Sequence, residues 1–190
     1  KDALGVVREC PLAGYAVLTI ALSHMVMVSV MSMTPAHLNA EGHSLADVGF
    51  TISLHIAGMY ALSPVFGWLT DKFGAIKIVI AGQLISLTSL AVSGFWQSEF
   101  YAVVLGLFLL GLGWSASTVA ASALLSETLA TGQRSKVQGF SDSLMNLSGA
   151  FGGAISGIIL TMFTFGGLNA AALVPVVFIT LATSYSKKWR

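Results

Sequence analysis

The sequence predicts an all-α membrane protein with six transmembrane helices, from its composition, its uncharged stretches and the placement of its basic residues. Of 190 residues, 55% are hydrophobic and only 9% are charged, and the mean hydropathy is +0.84. Soluble domains carry about 25% charged residues, so a soluble globular enzyme is excluded.

Long uncharged stretches define the predicted spans. No Asp, Glu, Lys or Arg occurs in residues 10–40, 48–70, 78–98, 100–126 and 143–186. A membrane-crossing helix needs about 20 apolar residues, so each of the first four stretches fits one helix. The last is long enough for two, with an interruption at Gly166 and Gly167. We predict spans at 12–35, 46–70, 76–96, 100–127, 137–163 and 168–186, with Pro35 closing the first span and Pro64 and Pro175 inside spans.

The basic residues predict the orientation. With six spans, all nine fall on one side of the membrane: Lys1, Arg8, Lys72, Lys77, Arg134, Lys136, Lys187, Lys188 and Arg190. The opposite side, made of residues 36–45, 97–99 and 164–167, has none. Lys and Arg accumulate in cytoplasmic loops, so we expect a protein of the plasma (inner) membrane with both termini in the cytoplasm. The net charge of +1 gives no electrostatic footprint for nucleic acid.

The connection between the second and third spans carries a motif. Its sequence, GWLTDKFG, runs from Gly67 to Gly74 and includes Asp71 and Lys72. It resembles the signature G-x-L-x-D-[RK]-x-G of the major facilitator superfamily, found after the second helix of each six-helix half. Asp71 can accept hydrogen bonds from a helix N-terminus, and Gly74 allows a tight turn. The basic pair that usually ends the signature is missing, because Ala75 and Ile76 precede Lys77.

The resemblance implies an architecture. Superfamily members have two six-helix halves, each made of two inverted three-helix repeats. This chain is similar to one half, the C-terminal one. The resemblance implies that residues 1–11 are the remnant of the central cytoplasmic loop, that 12–186 form the transmembrane bundle and that 187–190 are a cytoplasmic tail. The first residue is Lys rather than Met, so we expect the chain to be part of a longer protein, with the N-terminal half as its partner.

Methionine and histidine recur on the first two spans. Met27 with Met31, and His55 with Met59, each have i, i+4 spacing, which places both members on one helix face. Met27 lies roughly 12 Å from the outer end of its span and His55 roughly 14 Å, at 1.5 Å per residue. Thioether and imidazole ligands suit Cu(I), but methionine at helical spacing is more often packing than a site.

A closer resemblance favours copper binding by these methionine and histidine residues. The bacterial copper-importer branch of the superfamily carries M-x-x-x-M on its seventh helix and H-x-x-x-M on its eighth. Here Met27-x-x-x-Met31 and His55-x-x-x-Met59 occupy the corresponding spans. The resemblance implies copper as a transported substrate. Related members carry organic substrates such as riboflavin, so transport of a small organic compound, in either direction and proton-coupled, remains the alternative.

Four further residues are candidates for a substrate or proton path. His24 and Trp114 fall within spans, where a histidine is costly unless it faces a cavity or a partner. Asp142 and Asn146 share a stripe with Gly149 and Gly153 on the fifth span. A carboxylate there could carry a coupling proton, or could instead lie at the cytoplasmic interface near its helix N-terminus. Gly149, Gly153 and Gly157 are expected to pack helices.

Catalysis is not expected. The sequence has no HExxH, Walker or GxSxG pattern, so we predict a transporter without a tightly bound cofactor rather than a membrane enzyme.

Overall fold

The protein is all-helical in its computed structural model, which describes residues 2–186 and the side chains of residues 2–183. The elements are α1 (Ala3–Glu9), α2 (Pro11–Ala40), α3 (Leu45–Tyr60), α4 (Ser63–Phe73), α5 (Ala75–Phe95), α6 (Phe100–Thr128) and α7 (Thr131–Ser186). By length and composition, five helical stretches can cross a membrane, with α3 and α4 counted as one and α7 as one.

The long α7 consists of two helical segments that meet at Thr164. This residue has φ 63° and ψ 179°, a conformation that interrupts the helix between residues 131–163 and 165–186. Such a conformation is strained for a β-branched residue and costs on the order of 1–3 kcal/mol. The predicted interruption at Gly166 and Gly167 is therefore present but lies two residues earlier.

Several predicted boundaries are wrong. Pro35 does not close the first span, because α2 continues to Ala40 with Pro35 inside it. The fifth span begins at Thr131 rather than at residue 137. The domain division stays a prediction: residues 1–11, expected as the remnant of the central cytoplasmic loop, contain α1, whose first turn is capped by Asp2. The expected tail, residues 187–190, lies outside the described residues.

The second span is broken in its middle. α3 ends at Tyr60 and α4 begins at Ser63, with Pro64 in the first turn of α4. Proline at position 64 cannot donate to the carbonyl of residue 60 and its ring crowds that group, which explains why the break lies here. The Ser63 hydroxyl donates to the Met59 carbonyl at 3.0 Å and lies 3.0 Å from the hydroxyl of Ser115 on α6.

Glycine and serine bring α5 and α6 into backbone contact. A Cβ added at Gly82 would lie 2.9 Å from the Gly113 carbonyl, and one added at Gly106 would lie 3.2 Å from the Ser89 carbonyl. Ser89 donates to the Gly106 carbonyl at 2.6 Å. Close approach and interhelical hydrogen bonds are what hold helices together in lipid, where apolar surfaces gain little by association.

The helices form two different outer faces. α6 lies between α3 and α5, and α2 lies between the two segments of α7, with α2 and α6 touching in the centre. We call the exposed sides of α3 and residues 131–163 the site face. We call the exposed sides of α5 and residues 165–186 the apolar face. Exposed polar side chains of the site face include Asp142, Ser143 and Asn146.

The predicted orientation can be tested at two exposed positions on opposite ends of the bundle. In a full-length protein containing this chain, with Cys10 and any other cysteines replaced, Glu41→Cys should react with a membrane-impermeant maleimide in intact cells. Gly132→Cys should react only after the cells are opened, because the basic residues near it favour the cytoplasm. Labelling of Gly132→Cys in intact cells would contradict this orientation.

Candidate functional site

Aromatic rings from three helices form a cluster in which His24 and Trp114 are half-buried and Tyr60 is 60% exposed. The ring centroids of His24 on α2 and Trp114 on α6 are 5.9 Å apart, with a tilt of 50° between the planes. Tyr60, the last residue of α3, approaches Trp114 edge-on, with centroids 6.1 Å apart. Edge-to-face and tilted geometries at these separations are the arrangements that aromatic pairs prefer.

This cluster lies halfway along the bundle. His24 and Trp114 fall near the midpoints of α2 and α6, and Tyr60 lies at the break between α3 and α4. Non-helical backbone at membrane depth is tolerated where it is buried in protein or lines a cavity. The break beside Tyr60 is therefore typical of a binding site near the membrane midplane.

A glycine on α7 makes room for the histidine. A Cβ added at Gly149 would lie 2.7 Å from Cδ2 and 3.0 Å from Nε2 of His24, so only glycine leaves the ring its present position. One turn further on, a Cβ at Gly153 would make an ordinary contact of 3.5 Å with Val28. The glycine stripe therefore packs against α2, as expected, and at Gly149 it also shapes the site.

Polar atoms around the rings have no hydrogen-bond partner within the described part of the chain. These buried atoms are Nδ1 of His24, Nε1 of Trp114 and Oγ1 of Thr118, which lies one turn after Trp114 on α6. A buried polar group without a partner costs on the order of 1–3 kcal/mol. Three such groups in one region are typical of a site that is completed by water or by a ligand.

A buried amide links the two helices behind the site. Nε2 of Gln83 on α5 donates to the hydroxyls of Ser23 on α2, at 3.2 Å, and Ser117 on α6, at 2.8 Å. Ser23 precedes His24, and Ser117 precedes Thr118. Gln83 therefore fixes the separation of the two helices at the level of the aromatic cluster.

The other two path candidates lie on the site face. Asp142 and Asn146 are exposed; Gln138 Nε2 donates to Asp142 Oδ1 at 3.0 Å, and Asn146 Nδ2 donates to the Asp142 carbonyl at 2.8 Å. Because α7 begins earlier than expected, Asp142 lies about 16 Å along the helix from Thr131, at 1.5 Å per residue. The structure thus places Asn146 one turn before Gly149, on the approach to the aromatic cluster.

The methionine and histidine residues are packed in the interior. Met27, Met59 and Leu107 belong to one buried apolar cluster, with Met31 packed against it. His55 is fully buried, and its Nδ1 lies 2.7 Å from the Leu107 carbonyl on α6. A carbonyl only accepts, so Nδ1 carries the proton and Nε2 presents a lone pair. Nε2 has no partner among the described residues.

The signature loop has the expected turn. Gly74 has φ 91° and ψ 143°, a backbone conformation that side-chain-bearing residues rarely adopt, and it joins α4 to α5. Asp71 is exposed at the end of α4. The Lys72 ammonium lies 4.7 Å from the ring centroid of Trp68. The predicted hydrogen bonds from a helix N-terminus to Asp71 stay a prediction.

The family model of the Major Facilitator Superfamily matches residues 16–189. The chain belongs to this superfamily. The Bacillus subtilis proteins YddS and YdeG, both called uncharacterized MFS-type transporters, are 37% and 39% identical to it over 82% of this chain. The chain spans only 37% and 38% of their lengths. Both relatives are named as transporters rather than as enzymes.

Two further comparisons bear on fold and substrate. The riboflavin transporter RfnT of Brucella anthropi is 29% identical over 75% of this chain and 35% of its own length. The crystal structure of the POT family transporter PepTSo superposes with a TM-score of 0.79 at 17% identity, over 94% of this chain and 37% of that one. The second likeness shows that this chain shares the fold of the matched part of that transporter.

Sequence reasoning missed Tyr60 and Gln83. The position of Tyr60 at a helix break could have been predicted from Pro64. A proline inside a span leaves the carbonyl four residues earlier without its helical hydrogen bond, so the helix is expected to break there. Gln83 could have been predicted to bond to neighbouring helices, because a buried amide in the middle of a membrane span needs hydrogen-bond partners.

The turn at Gly74 generates a stability prediction with a control in the same loop. Gly74→Ala should destabilise a full-length protein by about 1–3 kcal/mol, because its φ is unfavourable for any residue with a Cβ. Gly67→Ala, in helical α4 with open space around it, should be neutral or slightly stabilising. Thermal unfolding of the detergent-purified proteins measures both. Equal unfolding temperatures would show that the turn is not strained.

Proposed function

We propose that this chain supplies half of a secondary active transporter of the plasma membrane, which moves a small, neutral, planar aromatic solute by alternating access. The observation that carries the proposal is the cluster of His24, Trp114 and Tyr60. It draws on three helices, lies beside a helix break, and contains buried polar atoms without described partners. The N-terminal half and the lipid bilayer are the partners that this proposal requires.

The geometry favours a flat ring as the substrate. Trp114 and the exposed ring of Tyr60 are aromatic surfaces on which a flat solute can stack. The indole Nε1 can donate to a carbonyl of the solute, while the unpartnered atoms of His24 and Thr118 accept or donate. Ligand sites of this kind combine aromatic walls with a few placed polar groups.

Charge favours a neutral solute. The spans around the cluster contain no Asp, Glu, Lys or Arg in residues 10–40, 48–70, 100–126 and 143–186. A charged solute at membrane depth needs an opposite charge or a metal, and this half supplies none there. A sulfoacetate transporter of Cupriavidus necator, 26% identical over 68% of this chain, is named for an anion. The riboflavin transporter is named for a neutral, planar compound, which fits the site better.

Asp142 is the proposed coupling group. It is the one acidic side chain on the described part of α7, and it lies on the site face one turn from Asn146. A carboxylate on a transport path can bind and release a proton between the two access states. Uptake whose pH dependence survives Asp142→Asn unchanged would exclude this role.

Riboflavin uptake by a full-length protein containing this chain tests the substrate site. Gly149→Ala should reduce uptake strongly, because the added methyl group overlaps His24. The matched control is Gly153→Ala, one turn away on the same helix, where the methyl group meets only ordinary contact; its uptake should be close to that of the parent. Membrane abundance is measured for both.

Two results would contradict the proposal. Equal uptake by the two variants would show that transport does not depend on the packing around His24. Accumulation of sulfoacetate but of no flavin would show that this half accommodates an anion, against the charge argument.

Copper uptake is a second candidate, which one observation favours. The Leu107 carbonyl fixes the His55 tautomer with its Nε2 lone pair buried and free of described partners, which is how metal-binding histidines are commonly oriented. Met27 and Met59 lie in the cluster that contains Leu107, and Met31 packs against it. Among the described residues no three His, Cys, Asp or Glu side chains group as ligands, so such a site would depend on methionine sulfur. None of the relatives reported above is named for copper.

Volume-conserving substitutions separate ligation from packing. Met59→Leu should abolish copper accumulation if its sulfur is a ligand, because a small set of soft ligands loses most of its Cu(I) affinity with one member. Met33→Leu, whose sulfur lies beside Gly157, is the control. Such swaps usually cost less than about 1.5 kcal/mol, so both variants should fold. Unchanged copper uptake in Met59→Leu and in His55→Ala would assign these residues to packing.

A further inference from the structure

A groove interrupts the apolar face near one end of the bundle. Its volume is about 370 Å³. It runs between the last two turns of α5 and the start of the second segment of α7. Its walls are Leu90, Ala91, Gly94, Phe95, Gly166, Gly167, Ala170 and Leu173. No side chain in these walls carries a polar group.

The groove exists because small residues hold the two helices close at one point and leave space beside it. A Cβ added at Gly166 would lie 3.0 Å from the Gly94 carbonyl, so the backbones touch there. Gln97 Oε1 accepts from the Gly166 amide at 2.6 Å, and Ser93 donates to Asn169 at 2.8 Å. These bonds fix the spacing of the helices, so neither can move in to fill the groove.

The apolar face is the one that should contact lipid. Thr88 is its exposed hydroxyl on α5, and it donates to the Leu84 carbonyl of its own helix. Apart from Lys77 in the first turn of α5, its large exposed side chains are hydrocarbon: Leu84, Phe95, Val174, Val177, Phe178 and Leu181. Asp142 and Asn146 are exposed on the other face, beyond α2 and α6. Exposed polar groups need protein or water over them, so the second half belongs on the site face and the bilayer on the apolar face.

We propose that this groove holds one acyl chain of a membrane phospholipid. An all-apolar cavity offers a water molecule no partners and remains dry. In the bilayer the only apolar material in contact with it is lipid hydrocarbon. Its volume lies within the range of about 300–1,000 Å³ that is usual for ligand pockets. Trp96, 57% exposed at the end of α5, marks the level at which a headgroup would sit, as tryptophans at membrane interfaces do.

The groove lies beside the strained residue of α7, so an acyl chain there would support the α7 break. Thr164 precedes the groove wall at Gly166 and Gly167, and Gln97 caps the segment that begins after it. Filling the space restores dispersion contacts that the cavity lining otherwise lacks.

Photolabelling of a full-length protein tests the proposal. The protein is reconstituted in vesicles of phosphatidylethanolamine and phosphatidylglycerol that contain a phosphatidylcholine with a diazirine midway along one acyl chain. After irradiation, labelled positions are mapped by mass spectrometry. Label should concentrate in residues 90–95 and 166–173, compared with Leu84 and Val177 on the same face.

Adjacent alanines give the matched pair. Ala170 lines the groove and Ala171, also exposed, does not. Ala170→Phe should reduce groove labelling to the level of the rest of the face, whereas Ala171→Phe should leave it unchanged. Ala91→Phe fills the groove from α5 and provides a second test if Ala170→Phe does not fold.

Three outcomes would overturn the proposal. Uniform labelling along the apolar face would show that no chain is held. Equal loss in Ala170→Phe and Ala171→Phe would show that the label reports the surface rather than the groove. Chemical crosslinks between residues 90–95 of one copy and 166–173 of another, without lipid label, would assign the groove to a second copy of the chain.

Discussion

The contact between α5 and α6 is the constraint on which the other helices depend. Lipid is as apolar as leucine, so these helices gain little from burying hydrocarbon and must touch closely or share hydrogen bonds. At Gly82 and Gly113 the backbones meet, and Ser89 bonds across to the Gly106 carbonyl. A methyl group at any of these glycines would separate the helices. α6 in turn supports α3, where Gly111 lets the Met59 backbone approach within contact distance.

The same close packing sets the dimensions of the candidate site. Gln83 projects from α5 between α2 and α6 and bonds to a serine on each, so the helices that carry His24 and Trp114 are held by one amide. A buried amide is costly in lipid unless both its ends are satisfied, and its Oε1 has no described partner. The hydrogen bonds of Gln83 therefore set the spacing of the helices that form the candidate site, while the polar atoms of the site itself remain available for a solute.

The sequence was sufficient to predict the membrane spans but not the positions at which their helices end or break. Charge-free stretches predict helices because each span must satisfy its own backbone in lipid, which needs no tertiary information. The breaks depend on neighbours. Residues 36–40 look like loop, yet α2 continues through Pro35 because His37 bonds to the Gln97 carbonyl and stacks on Phe165 at 4.3 Å. The break at Thr164 depends on the same region, where Gln97, in the turn between α5 and α6, takes the place of an N-cap for Gly166. The aromatic cluster, too, needed the fold: His24 and Trp114 were candidates singly, but only packing shows that Tyr60 joins them.

If the proposed function holds, the two faces of the bundle imply a division of roles between two halves of a transporter. This chain would offer aromatic rings, an indole donor and neutral acceptors, and would select a solute by shape and hydrogen bonding rather than by charge. Neutral groups at membrane depth cost less to desolvate than ions, and they need not be neutralised each time access alternates. Among the described residues of α3 and 131–163, carboxylates occur only towards the helix ends, at Asp47 and Asp142. Proton coupling through Asp142 would then act on the approach to the solute rather than on the solute itself, and any charge pairing at the midplane would have to come from the other half.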